Sequence, residues 1–346
     1  MDNKNKTESI DELKTTNKFP VYLKKKLDQY MVGQEALKTE VCMAIYKHIN
    51  FGVRNPILLI GPSGCGKTFC FELLKKLKAE GVLPEAYNIM LHEISRVTQS
   101  GFTGDEPTSF VEMYRKQCLL EHNSEYKGLI FIDEIDKVIM PSHSSYGENV
   151  NSIVQYQLMN IVSGSVVKGV DTSNVLFVLG GAFAQLDELE KEEKKNPIGF
   201  VPNVEKGDVL YDSLRDKLIS IGAMKEFMGR ITSFVRLQKL SALELKVLLL
   251  HPTNGIIAKK KNEFAKEGLL LEFSEDTYDD IIKKVEDEAL GARSLQNVID
   301  SILRGSEYYA IENDYNKIMI TKDSLRTGRP LFSSEKSYKV TQNSVV

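Results

Sequence analysis

Cysteine and histidine are both scarce. The 346 residues include four cysteines (Cys42, Cys65, Cys70, Cys118) and five histidines. No two cysteines form a C-x-x-C pair, which argues against a zinc module and against a disulfide framework, and fits a reducing compartment. Long apolar runs are missing too: none approaches the roughly 20 residues that a membrane span needs. The segment Met1–Lys18 has no apolar centre of the kind a secretory signal requires, and it carries Asp2, Glu8, Asp11 and Glu12, which a mitochondrial transit peptide avoids. The expectation is a cytoplasmic protein with no membrane partner. Neither sign of charge dominates, since 45 basic and 48 acidic side chains leave a net charge of -3. A dedicated nucleic-acid binder normally carries a basic face, so no nucleic-acid partner is expected.

What the chain does have is core material. With 42% hydrophobic residues it is neither disordered nor dependent on staples, and its length suits two or three domains. Residues 1–18 and 326–346 read as tails. Between them, Ile57–Ile60, Gly128–Ile132 and Asn174–Leu179 are continuous apolar runs, as in strands buried on both faces of a parallel sheet. Helical patterns separate them, so the expected class is α/β. After about Leu240 the texture becomes nearly continuous helix, broken by a short Leu269–Phe273 run. Ser241 and Glu244 have capping-box spacing, Pro252 ends or kinks that helix, and Gly268 suits the stop of the next. Glu188–Lys195 reads as a solvated loop or helix end. The expected division is a large α/β domain over 19–239 and a small helical domain over 240–325.

Gly61-Pro62-Ser63-Gly64-Cys65-Gly66-Lys67-Thr68 fits the phosphate-loop pattern, and it stands after a strand and before an amphipathic helix, as that chemistry requires. Glycines let backbone amides turn toward anionic oxygens, and the helix N-terminus adds its positive end. Lys67 can reach the β- and γ-phosphates of ATP, and the Thr68 hydroxyl can ligate Mg2+. Asp133 and Glu134 follow the Leu129–Ile132 run, which places two carboxylates at the carboxyl edge of the sheet. Asp133 is expected to hold the magnesium ion and Glu134 to polarise the attacking water, a role that typically supplies about 10²–10⁴-fold in rate.

With these motifs the chain resembles the AAA+ ATPases, and among them the ClpX-type protein unfoldases, over about residues 20 to 320. The resemblance implies an AAA+ nucleotide domain with a parallel sheet followed by a small, mainly helical lid domain. It makes Leu27–Gln34 the segment that cradles adenine, with Met31 and Val32 as contacts, and extends the phosphate-loop contacts to Phe69. It puts a sensor-1 region at Gly180-Gly181-Ala182-Phe183, where no polar side chain stands. Glu226–Arg230 matches the box whose arginine finger, here Arg230, reaches the ATP of a neighbouring subunit and can contribute about 10³–10⁵ in rate. Gly291-Ala292-Arg293 matches the sensor-2 motif, in which Arg293 contacts the nucleotide of its own chain.

The mechanical parts follow from the same resemblance. Gly101-Phe102-Thr103-Gly104 matches the aromatic pore loop, and a Gly-flanked aromatic can grip an unfolded chain whatever its sequence. Tyr146–Val150 occupies the place of a second pore loop, with Tyr146 as its aromatic and without the family's Arg-Asp lead-in. The stretch from Gly164 to Asp171 is shorter than in ClpX and lacks the basic loop of the pore entrance. Ile198-Gly199-Phe200 resembles the tip with which such rings dock into a ClpP-type peptidase; apolar residues on a polar loop make good anchors for a partner pocket. Implied partners are protein substrates, five further copies in a homo-hexamer, and the peptidase. The family's zinc-binding N-terminal domain has no counterpart here, so no zinc is expected. The alternative is a stand-alone ATP-driven remodeller of protein complexes without a peptidase. A nucleic-acid motor or clamp loader shares the phosphate-loop chemistry but is disfavoured by the acidic balance.

Overall fold

The computed structural model describes residues 10–94, 106–142, 149–195, 208–252, 254–288 and 291–334. The chain divides into two compact units, Met1–Gln238 and Lys239–Val346. In the first unit, helices α1 (Ile10–Lys14), α2 (Phe19–Asp28) and α3 (Glu35–Phe51) precede strand β1 (Ile57–Ile60). Then come α4 (Lys67–Ala79), β2 (Asn88–Glu93), α5 (Ser109–Leu120), β3 (Gly128–Asp133), α6 (Asp136–Ile139) and α7 (Val150–Ser163). A hairpin of β4 (Val166–Val167) and β5 (Val170–Asp171) leads to β6 (Val175–Gly181), α8 (Ala184–Lys195), α9 (Asp208–Ser220), α10 (Lys225–Met228) and β7 (Ser233–Arg236).

Five of these strands form one sheet in the order β2-β3-β6-β1-β7, and every pairing in it is parallel. Parallel strands need crossover helices on the faces, so both faces must be apolar. The side chains divide with the two-residue period of a strand. Leu58, Ile60, Ile130, Ile132, Phe177 and Leu179 face one core, shared with Phe110, Tyr114, Val154, Leu158 and Phe227 of the helices. Ile57, Leu59, Leu129, Phe131, Leu176 and Val178 face the other, shared with Leu23, Val41, Phe71 and Leu74. Each fully buried side chain of this kind contributes about 1.5–3 kcal/mol, which makes the sheet the rigid base of the unit.

The second unit contains α11 (Ala242–Leu250), α12 (Ile256–Lys266), β8 (Leu270–Phe273), α13 (Thr277–Glu288), α14 (Ala292–Leu303), α15 (Ser306–Glu312), β9 (Lys317–Ile320), α16 (Lys322–Thr327) and β10 (Leu331–Ser333). The expected Ser241 capping box opens α11, with both reciprocal bonds to Glu244 in place. Leu245, Leu249, Phe264, Ile281, Leu295, Ile299 and Ile318 lie in one core.

Two local expectations are corrected. The stretch expected to be nearly continuous helix also contains a three-stranded sheet, in which β9 runs parallel to β8 and antiparallel to β10. Both expected tails contain ordered elements: β10 pairs with β9 beyond residue 326, and α1 lies before residue 18, where the Lys14 carbonyl accepts from Asn50 Nδ2 at 3.1 Å. Glu188–Lys195, expected as a loop or helix end, is the C-terminal part of α8.

Candidate active site

The loop 61–66 turns between β1 and α4, and its last residue takes a conformation that requires glycine. Gly66 has φ 98°, and a Cβ there would lie 3.1 Å from Met31 Cε, so a side chain meets both backbone strain and a neighbour. The first-turn amides of α4 have no partners within the helix and open on this loop as an anion site. Lys67, the first helical residue, is buried; its ammonium donates to the carbonyls of Gly61 at 2.5 Å and Pro62 at 3.0 Å. Burial pushes the Cys65 thiol above its ordinary value although the Lys67 ammonium opposes this, so a neutral thiol lines the loop. Ser63 is exposed, and Phe69 is partly exposed on α4 while Cys70 and Phe71 beside it are buried.

The acidic partner approaches from β3. Thr68 Oγ1 donates to Asp133 Oδ2 at 2.5 Å, while Asp133 Oδ1 accepts the Glu134 backbone N–H at 2.9 Å. Glu134 has φ 60°, uncommon for a residue with a side chain, and the Asp133 bond holds it there. Above this junction the rings of Phe71 and Phe131 stack with centroids 4.1 Å apart and planes 11° apart, fixing α4 over β3.

The sensor-1 region lies between them at the end of β6. A Cβ on Gly180 would fall 2.8 Å from the Phe131 ring and 3.3 Å from Asp133 Oδ1, so the position has no room for any side chain, polar or not. Its backbone is used instead. The Gly180 carbonyl accepts from the Ile135 amide at 2.9 Å and the Gly181 carbonyl from the Gly61 amide at 3.1 Å. The bare strand end thus ties the acidic turn to the start of the phosphate loop.

Met31 is buried and Val32 half-buried in the segment joining α2 to α3. Two features of this segment escape sequence reasoning. Gln34, in the left-handed conformation, donates from Nε2 to the Gln238 carbonyl at 2.8 Å. Lys38 is 2% exposed, and its ammonium lies 2.5 Å from Asp28 Oδ1 and 2.6 Å from Glu35 Oε1. Lys24 bridges the same two carboxylates from outside, at 3.0 and 2.6 Å. Hydrogen bonds from Lys24 and Lys38 hold the Glu35 carboxyl below its ordinary value; burial pushes the Asp28 carboxyl upward, yet bonds to the same lysines bring it below as well. The available signal was periodicity: Leu37, Val41, Cys42 and Ile45 are buried on α3, and a lysine within that stripe marks a buried charge.

The structure therefore brings the phosphate loop, Met31, Asp133 and Glu134 together. Arg230 is exposed two residues after α10, on a turn anchored by buried Phe227, Met228 and Ile231. Arg293 is exposed in the first turn of α14, in the second unit. Phe102, Tyr146, Ile198, Gly199 and Phe200 lie outside the described residues. Among the described residues no helix is long and apolar enough to cross a membrane, and no three or more His, Cys, Asp or Glu side chains gather as a metal cluster.

Comparison with known proteins adds the lineage. The model of the AAA domain, Cdc48 subfamily, matches residues 54–234, more than half of the chain. An ATP-dependent Clp protease ATP-binding subunit, ClpX 2, from Wolinella succinogenes is 32% identical over 304 residues, covering 80% of this chain and 74% of that protein. ClpX from Treponema denticola is 30% identical over 331 residues (84% and 77%), and ClpX from Borrelia duttonii 28% over 346 (88% and 78%). The matched span begins just before β1 and ends within β7, so it takes in four whole strands of the parallel sheet and the start of the fifth, with the phosphate loop and acidic strand end, and this chain belongs to the AAA family of ATPases.

Proposed function

We propose that the chain is the ATPase subunit of a hexameric ring that unfolds proteins and threads them into a ClpP-type peptidase. What carries this reading is the extent of the likeness: the relatives named ClpX align with 80–88% of the chain, well beyond the AAA match at 54–234. The geometry suits the chemistry. Met31 and Val32 face the adenine, and the loop from Gly61 to Phe69 wraps the phosphates. The Lys67 ammonium exchanges its carbonyl partners, Gly61 and Pro62, for phosphate oxygens.

The Thr68 hydroxyl and Asp133 carboxylate are hard oxygen donors 2.5 Å apart, a pair that would hold Mg2+ better than a soft metal. Such an ion, when bound, neutralises charge on the phosphate oxygens. Glu134 accepts a proton from, and aligns, the attacking water; its backbone is already pinned by Asp133. Arg230 serves the site of the next subunit and Arg293 senses the nucleotide of its own. Phe102 and Tyr146 grip the polypeptide, and Ile198-Gly199-Phe200 docks on the peptidase.

Two variants test the reading. Glu134→Gln keeps ATP binding while phosphate release falls about 10²–10⁴-fold; near-wild-type turnover removes Glu134 from the role. Deleting residues 198–200 abolishes ATP-dependent degradation of a folded tagged substrate with a ClpP-type peptidase but spares hydrolysis; unchanged degradation refutes docking. One observation favours a second reading, a remodeller without a peptidase: the hairpin at 166–171 has two residues per strand, which leaves no extended loop there to select substrates. ATP-driven disassembly of a complex, with no degradation in the presence of the peptidase, decides for it.

A further inference from the structure

The segment between α2 and α3 is tied at both ends: the Tyr30 and Met31 amides bond to the Leu27 carbonyl at 3.0 and 2.8 Å, and Gln34, at φ 55° and ψ 43°, donates from Nε2 to the Gln238 carbonyl at 2.8 Å. Lys38 reaches it from one turn inside α3. Besides Asp28 at the end of α2 and Glu35 at the start of α3, its ammonium donates to the Met31 carbonyl at 3.4 Å. One buried cation thus joins two helix ends and the loop residue whose side chain touches the phosphate loop at Gly66.

We propose that Lys38 is a positioning residue for the nucleotide base: by clamping Asp28, Glu35 and the Met31 carbonyl it holds Met31 and Val32 where the adenine ring lies. This rests on the reading that those two side chains face the adenine. The phosphates are bound by the loop 61–68 through its own backbone and Lys67, so the clamp serves the base and not the triphosphate tail. Lys24 closes the cluster from the solvent side, and the carboxylates alternate with the two ammonium groups so that neither lysine faces an uncompensated charge.

The test is calorimetric titration of the full chain with ATP and, separately, with inorganic tripolyphosphate, both with magnesium. Lys38→Met is expected to weaken ATP binding about tenfold and tripolyphosphate binding less than about twofold; the thermal midpoint is expected to fall as well, because Asp28 and Glu35 are left with Lys24 alone. Equal weakening of both ligands, or of neither, overturns the assignment. Should Lys38→Met fail to fold, Glu35→Gln decides, since that side chain is 65% exposed and its loss leaves the packing intact; it is expected to lower the ATP-to-tripolyphosphate preference in the same direction, and an unaltered preference overturns the proposal. Val32→Asp separates the two layers. If it leaves the preference for ATP intact, the adenine reading fails and Lys38 loses its role with it. If it removes the preference while Lys38→Met does not, only the clamp is refuted.

Discussion

A single missing atom governs the end of β6. The Cβ that Gly180 lacks would stand 2.8 Å from the Phe131 ring and 3.3 Å from the carboxylate that positions Glu134. Gly180→Ala therefore forces the ring or the strand to move, which costs about 1–3 kcal/mol as overpacking, and it displaces Asp133 from its bonds to Thr68 and Glu134. Both a lower thermal midpoint and slower phosphate release are expected; a variant with neither would mean that the close approach does not constrain the site. The phosphate-loop residues and the acid pair were legible in the sequence because each follows an unbroken apolar run, and the fold sets those two strands with only β6 between them. The reason for a glycine at 180 was not, since it depends on a ring from β3 and only the folded sheet brings the two together. Lys38 was legible in part: its place in the buried stripe of α3 marks it, but its partners do not show until two carboxylates are seen to close over it.

Elements follow the same division. β1, β3 and β6 are buried strands, and their unbroken apolar runs announced them. β2 and β7 are the two edges of the sheet, and their outer ends carry His92 and Glu93, and Ser233 and Arg236, which dilute the pattern below recognition. The strand β8 falls on the short Leu269–Phe273 run, whereas β9 and β10, four and three residues long, are too short for any period to emerge between helices. What turns these elements into a site is the seam between α4 and β3, made by the Phe71–Phe131 stack. Both rings are fully buried, and Phe71→Ala removes one of them from a sealed layer. A loss of about 3–5 kcal/mol in unfolding free energy is expected, measured by urea titration. Because the seam sets the Thr68–Asp133 distance, ATP turnover is expected to fall further than the fraction unfolded accounts for. A variant that loses stability alone would make the stack a packing contact without influence on the site.

At the scale of the assembled molecule, the proposed division of labour between neighbours has a consequence that no single-subunit property shares. One working site needs Glu134 from its own chain and Arg230 from the next, so each substitution disables a different half. Arg230→Ala alone is expected to bind ATP and to lose turnover by about 10³–10⁵-fold, and Glu134→Gln alone to bind ATP and to lose about 10²–10⁴-fold through the water. Arg230 sits on an exposed turn whose flanking Phe227, Met228 and Ile231 are buried, so truncating it leaves the anchor in place and the fold is expected to survive. When the two inactive proteins are mixed and allowed to exchange subunits, some neighbours pair an intact Glu134 with an intact Arg230, and hydrolysis reappears. The recovered rate rises with the mixing ratio to a maximum near equal proportions and falls on either side. Independent subunits would give the sum of two inactive rates at every ratio. Such a flat profile would place Arg230 outside the catalytic site and remove the need for a ring, whatever the affinity for ATP.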